Sequence, residues 1–256
     1  MNPILLHIST LQLTNIIFVI ILLFIFYRYL ETFWSYKISK PFAWDEAVKN
    51  KRLWKDLIKI ERGMRDKVRF YNLWFQVERL KKNDITGAFA ELGVHRGKTA
   101  KAIHYMDRDR KFYLFDTFNG FSRRDLDQES QTDERFSPDM FTDTSVDEVK
   151  EYIRGNDNLH FKTGFFPDTT KGLEKERFAL VNIDADLYAP TIAALHFFYP
   201  KLNEGAVIIV HDYNHNWKGI RKALDEFMPT IPESLIELPD WQGSVMIVKN
   251  SGDANS

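Results

Sequence analysis

The chain has 256 residues, a formal net charge of -1 and no cysteine. Near-neutral charge gives no bulk electrostatic reason for a nucleic-acid partner, and the lack of cysteine excludes disulfides, thiolate zinc sites and cysteine nucleophiles. A hydrophobic content of 44% with 21 Phe is ample for one buried core, so one main domain with an N-terminal extension is expected.

The extension comes first. Leu11 to Leu30 reads LQLTNIIFVIILLFIFYRYL, and its centre, Ile16 to Tyr27, carries no acid or base. That approaches the roughly 20 residues needed to span hydrocarbon. No Lys or Arg precedes the run and no small-residue cleavage site follows, so it reads as an anchor rather than a cleaved signal. Tyr27, Tyr29, Phe33, Trp34 and Tyr36 suit a membrane interface. Arg28, Lys37, Lys40, Lys49, Lys51 and Arg52 follow, which predicts a single-pass protein with its C-terminal part cytoplasmic. The blander alternative is a buried or membrane-surface helix, because Gln12, Thr14 and Asn15 dilute one end. Residues 1–30 are thus read as anchor and 31–84 as linker and helical cap. Two helices are expected between Trp44 and Lys82. In the second, Val68, Tyr71, Trp74 and Phe75 fall on one face and Leu73, Val77 and Leu80 on another. The basic residues of this region also suit anionic head groups.

From residue 85 to 250 the pattern alternates. Strands are predicted at Ala88–Leu92, Lys111–Phe115, Leu159–Thr163, Phe178–Ile183 and Ala206–Val210. Helices are predicted from about Lys98, at Ser145–Ile153, from Tyr188 or Pro190 to Leu202, and at Trp217–Phe227. Two last strands, Leu235–Leu238 and Ser244–Val248, are close enough to pair antiparallel. The expectation is an α/β fold with a mostly parallel seven-stranded sheet and helices on both faces. An acidic insert, Thr117 to Thr144, is long enough to serve as a lid, with a plain surface loop as the simpler reading. Residues 251–256 read as a polar tail.

The chemistry starts at AFAELGVHRG, a strand running into a turn with Gly93 and Gly97 and then a helix. Glycines let a backbone approach a ligand closely, and the first helical turn presents free N–H groups. A P-loop would need glycine at position 92, which is Leu, and the dinucleotide fingerprint would need a third glycine. Glu91, Asp116, Asp184, His211 and Asp212 all fall at C-terminal strand ends, the ligand-binding edge of an open α/β sheet. Asp116, about 20 residues past the glycine turn, stands where an acid accepts ribose hydroxyls. Asp184, His211 and Asp212 would lie on neighbouring strands about 4.8 Å apart and could share a divalent ion. Asp186 then suits a general base or a helix cap. His215 and Trp217 suit acceptor contacts or loop packing.

The segments ELGVHRGKTA, YLFDTFNGF, GFFPDTT, VNIDADLYAPTIAALHFFYPKL and GAVIIVHDYN resemble the macrocin O-methyltransferase family over roughly residues 85–250. The resemblance implies a Rossmann-like class I methyltransferase fold and a metal-assisted methyl transfer from S-adenosylmethionine to a sugar hydroxyl. It implies a cofactor site including Glu91, Gly93, Val94, Gly97, Asp116, Thr117, Gly164, Phe165 and Asp184. It maps the metal, magnesium or manganese, to Asp184, His211 and Asp212, and the catalytic groups to Asp186 and His211. The family usually has Asp where this chain has His211. Imidazole suits manganese, iron or zinc better than magnesium, so His211 also reads as a base or as a support for the ligands. An anchored enzyme would suit a lipid-linked acceptor, and a homodimer is left open. Two other readings are carried: a different nucleotide-binding enzyme, and a non-catalytic membrane-anchored scaffold on the same fold.

Overall fold

The structure, a computed structural model, describes residues 9–34, 40–129, 136–215 and 218–250. Tyr36, Lys37, the middle of the insert, Trp217 and the polar tail lie outside the described residues.

The N-terminal segment forms α1 (Thr10–Trp34), whose 25 residues reach about 37 Å at 1.5 Å per residue. It is long and apolar enough to cross a membrane, with no part of the hydrophobic window buried against the protein. Three helices follow where two are expected: α2 (Phe42–Lys49), α3 (Lys55–Gly63) and α4 (Lys67–Lys82). The chain breaks between α2 and α3 at Lys51, whose φ is +54°, and between α3 and α4 at Asp66, whose side chain caps α4 by accepting from the N–H of Arg69. Helix α4 buries one broad stripe, including Phe70, Tyr71, Leu73, Trp74, Val77 and Leu80, rather than two separate faces, and Phe75 is left exposed. Trp44 of α2 closes the stripe edge-on against Phe70, Tyr71 and Trp74, with ring centroids 5.1–5.7 Å apart.

The alternating half folds as β1 (Ala88–Leu92), α5 (Lys98–Met106), β2 (Phe112–Asp116), α6 (Arg123–Leu126), α7 (Val146–Ile153), β3 (Leu159–Thr163), β4 (Phe178–Ile183), α8 (Tyr188–Phe198), β5 (Leu202–Val210), α9 (Lys218–Phe227), β6 (Ile236–Glu237) and β7 (Val245–Val248). The seven strands make one sheet in the order β3-β2-β1-β4-β5-β7-β6. The first five are parallel, whereas β7 runs antiparallel to β5 and to β6, so the sheet is mixed. Strand β5 begins earlier than the apolar run. Gly205, at φ +72°, lies where the register with β4 shifts, and Leu202 pairs with Phe178 beyond it. The insert carries a short helix, α6, capped by Ser122.

Residue parity assigns the two cores. Phe89, Phe112, Leu114, Leu180, Val207 and Ile209 face the helical layer of α2–α5 and α7. Ala88, Ala90, Leu92, Phe115, Val181, Ile183, Ile208 and Val210 face α8 and α9. Strand order reverses between β1 and β4, which opens a crevice at their C-terminal ends. There the N–H of Asp184 donates to the Leu92 carbonyl at 2.9 Å, and Gly93 sits at φ +87°. A Cβ on Gly93 would lie 1.9 Å from the Asp184 carbonyl oxygen. Gly93→Ala should therefore cost about 2–4 kcal/mol in urea unfolding, from overlap plus left-handed strain. Gly63→Ala, where a Cβ meets nothing within 4 Å, should be neutral or slightly stabilising. Equal midpoints for the two variants would refute this account of the crevice.

Candidate active site

A cavity of about 260 Å³ opens over the crevice. Sheet order places its two sides. Ends of β1, β2 and β3 bring Gly93, Asp116, Thr117 and Gly164 to one side, and ends of β4 and β5 bring Asp184, Asp186 and Asp212 to the other. Arg69, from α4, and Gln242, from the β6–β7 loop, close the acidic side.

On the first side, Asp116 is held by two backbone N–H donors, His95 to Oδ2 at 2.8 Å and Phe118 to Oδ1 at 2.7 Å. Each carboxylate oxygen keeps a further lone pair for a ligand hydroxyl. Glu91 lies beneath the cavity wall. Its Oε1 accepts from Asn182 Nδ2 at 2.9 Å, and its Oε2 is buried without a partner. Burial first, then the neighbouring Asp184, pushes its carboxyl well above the usual range. An orphaned buried carboxyl oxygen beside Gly93 is the feature a cationic or hydroxyl-bearing ligand would satisfy. Other residues of the expected cofactor set stand back from the wall. Val94 is core, and a Cβ on Gly97 would meet Val149 and Ile153 of α7, so that glycine serves helix packing and an αL cap. Phe165 lies under the Arg124 guanidinium, 3.9 Å from its ring centroid, while its neighbour Phe166 lines the cavity.

On the second side, Asp184, Asp186 and Asp212 bring carboxyl oxygens within 4.8 Å of one another. Asp186 and Asp212 both sit in the left-handed region, at φ +61° and +63°, a backbone state that clusters at functional sites. Burial raises the Asp186 carboxyl well above its ordinary value, and the charges of Asp184 and Asp212 raise it further. Burial also lifts Asp184, to about 6, against the opposing pull of Arg69. Asp212 is raised by burial, partly offset by its hydrogen bond with Asp186.

His211, expected among the ligands, stands outside this cluster. It is buried, with Nε2 donating to Asn182 Oδ1 at 2.7 Å and Nδ1 2.6 Å from Ser244 Oγ. Both ring nitrogens are occupied, and burial followed by the Arg69 charge holds its pKa well below the usual value. Arg69, absent from the expected set, touches the cluster directly. Nη1 lies 3.4 Å from Asp184 Oδ2 and Nη2 3.5 Å from Asp212 Oδ1. Two of the three convergent carboxylates are thus already paired with a guanidinium. A divalent ion bound through those two oxygens would have to share them with the guanidinium.

The insert reaches over the site. Phe121 and Phe141 line the cavity, and their rings pack edge-on 5.2 Å apart. Asp143 binds both residues after the glycine turn's first half, His95 Nε2 at 2.8 Å and Arg96, and Thr144 Oγ1 donates to the His95 carbonyl at 2.9 Å. Glu129 accepts the N–H of Tyr188 at the start of α8. Of the other candidates, His215 lies in the turn after β5, its N–H bonded to the Asp212 carbonyl at 3.2 Å.

A family model described as macrocin-O-methyltransferase (TylF) matches residues 25–246. The match starts far upstream of residue 85, so the helical cap belongs to it, contrary to expectation. Mycinamicin III 3''-O-methyltransferase of Micromonospora griseorubida is 30% identical over 190 residues, 68% of this chain and 74% of that protein. The 8-demethyl-8-(2,3-dimethoxy-alpha-L-rhamnosyl)-tetracenomycin-C 4'-O-methyltransferase of Streptomyces olivaceus is 28% identical over 57% of this chain and 60% of its own. Among solved structures, the O-methyltransferase NovP superposes with a TM-score of 0.60 at 25% identity, over 72% of this chain and 81% of that chain. The calicheamicin methyltransferase CalS11 has the same fold, with a TM-score of 0.55 at 21% identity over 97% and 95%. The chain belongs to the macrocin O-methyltransferase family, on a Rossmann-like class I methyltransferase fold.

Proposed function

We infer that the protein is an S-adenosylmethionine-dependent O-methyltransferase acting on a hydroxyl of a sugar or glycoside. One observation carries the reading. A single cavity has a carboxylate with free lone pairs, Asp116, at one strand end and a half-buried carboxyl cluster at the other. Family membership and the sugar methyltransferases among the relatives support the substrate class.

S-adenosylmethionine supplies an electrophilic methyl on a sulfonium. Gly93, Asp116, Thr117 and Gly164 would hold it, with Asp116 accepting from ribose hydroxyls and the Phe121–Phe141 pair covering the site from the insert. The acceptor oxygen forms the new bond to carbon as the carbon–sulfur bond breaks, and the bonding pair returns to sulfur. Asp186 takes the hydroxyl proton. Its raised pKa makes it a stronger base than an ordinary carboxylate once ionised. Most of the rate gain in such an in-line displacement comes from positioning, which the shared cavity provides. A metal-assisted version would require Arg69 to leave Asp184 and Asp212.

The reading extends to location. Helix α1 would anchor the enzyme with its catalytic domain at the cytoplasmic face, where the acceptor could be lipid-linked. Exposed Phe42 and Trp54 lie in the segment that follows, amid Lys40, Lys49, Lys51 and Arg52.

Asp186→Asn should lower kcat about 10²-fold or more on a glycoside acceptor while S-adenosylmethionine titration is unchanged. Wild-type activity should rise with pH through an inflection above the ordinary Asp value of about 3.9, because the base must lose its proton to act. Retained activity in Asp186→Asn would rule out that base. Removing residues 1–34 should release the protein from the membrane fraction without loss of cofactor binding. A truncated protein that still pellets with membranes would remove α1 as the anchor.

A further inference from the structure

Arg69 is built into the acidic cluster more firmly than a surface arginine would be. Its three nitrogens go to three different aspartates: Nη1 to Asp184, Nη2 to Asp212 and Nε to Asp240, the last at 3.3 Å. The side chain is only 13% exposed and lines the cavity. The arrangement is held from both directions. Asp66 accepts the N–H of Arg69 at 2.9 Å and that of Trp241 at 3.1 Å, which ties the start of α4 to the loop that carries Asp240. Asp240 accepts the backbone N–H of Ser244, and the Ser244 hydroxyl oxygen lies 2.6 Å from both Asp240 Oδ2 and His211 Nδ1.

A guanidinium has five N–H donors, and two of them hydrogen-bond carboxylates, Nε to Asp240 and Nη1 to Asp184, while Nη2 stands in ion-pair range of Asp212 Oδ1, which accepts no hydrogen bond from the described residues. One N–H on Nη1 and both on Nη2 therefore remain for an acceptor oxygen. A divalent ion on Asp184 Oδ2 and Asp212 Oδ1 would need to sit about 2.1 Å from oxygens that Arg69 already contacts. Ion and guanidinium would then crowd within a few ångströms of one another, two positive centres competing for the same two oxygens.

We propose that Arg69 is the resident cation of this site. It occupies the place between Asp184 and Asp212 that a divalent ion would take, and it positions those carboxylates and the acceptor hydroxyl without one. The chain Asp240–Ser244–His211–Asn182 is the buried support that keeps it there. The proposal rests on the methyltransferase reading above.

The test uses Mn²⁺ as probe on the full-length protein in detergent, with free ion read by electron paramagnetic resonance. Wild type should bind Mn²⁺ no more tightly than about millimolar, and Arg69→Met at least about tenfold more tightly. The gain should vanish in Arg69→Met combined with Asp212→Asn, and Arg69→Lys should behave as wild type. Micromolar binding by wild type that is lost in Asp212→Asn would overturn the proposal. So would an Arg69→Met affinity within twofold of wild type. If Arg69→Met gives no cooperative thermal transition, Arg69→Gln, which keeps a polar side chain but removes the charge, should raise Mn²⁺ affinity in the same direction, and no change there would also overturn it. Titration of wild type with S-adenosylmethionine separates the two ideas: no binding would remove the methyltransferase reading and leave the Mn²⁺ comparison intact.

Discussion

Carboxylates can be gathered at a buried sheet edge only if something offsets their repulsion and desolvation. Here Asp184, Asp212 and Asp240 are gathered around Arg69, and the guanidinium stays charged because these three outweigh the effect of its burial. Removing one partner from such a buried set typically costs about 3–5 kcal/mol, because it strands the remaining charge. The placement of α4 follows from this. The helix must bring its first turn to the cavity, and the Trp44–Trp74 aromatic packing on its flank holds it there. The helical cap is therefore part of the site, which accords with a family match that begins at residue 25.

A second constraint runs across the sheet. Glu91, Asn182, His211 and Ser244 form a row over β1, β4, the end of β5 and the start of β7, linked by hydrogen bonds of 2.6–2.9 Å. Such a buried row is stable only when its members satisfy one another. It ends on Glu91 Oε2, which has no partner, beside the turn where the cofactor is proposed to lie. The row thus connects the cofactor side to the Arg69 side through groups that never reach the cavity surface.

Most of the sheet was legible in the sequence because each central strand is a short apolar run ending in a polar residue. FALVNI before Asp184 and AVIIV before His211 are such runs, and buried strands carry that signature. The acidic trio was half legible. Asp184 and Asp212 end neighbouring strands and their carboxyl oxygens do converge, whereas His211 joins them only by adjoining Asp212 in sequence. Strand alternation separates the two. His211 continues the face of Val207 and Ile209, whereas Asp212 has left the strand at φ +63°. Arg69 was not legible at all. Its partners Asp184 and Asp240 are 115 and 171 positions away, and locally it is one basic residue among Arg65 and Lys67. Asn182 is the missed local signal: one amide inside an otherwise apolar strand needs partners, and both, Glu91 and His211, lie in the buried row behind the site.

The contact between Arg69 and Asp240 also has a bearing on how the molecule comes to exist. It joins the beginning of the folded region to its last hairpin, across 171 positions. Contacts of that span carry a larger loop-closure cost than local helices and neighbouring strand pairs. On the ribosome, α1 and the helical cap emerge long before the β6–β7 loop, so the acidic edge must pass through a stage in which Asp184 and Asp212 are present and Asp240 is not. The acidic edge cannot be complete before that loop has been made, and a chain that stops short of its last twenty or so residues would lack both Asp240 and β7.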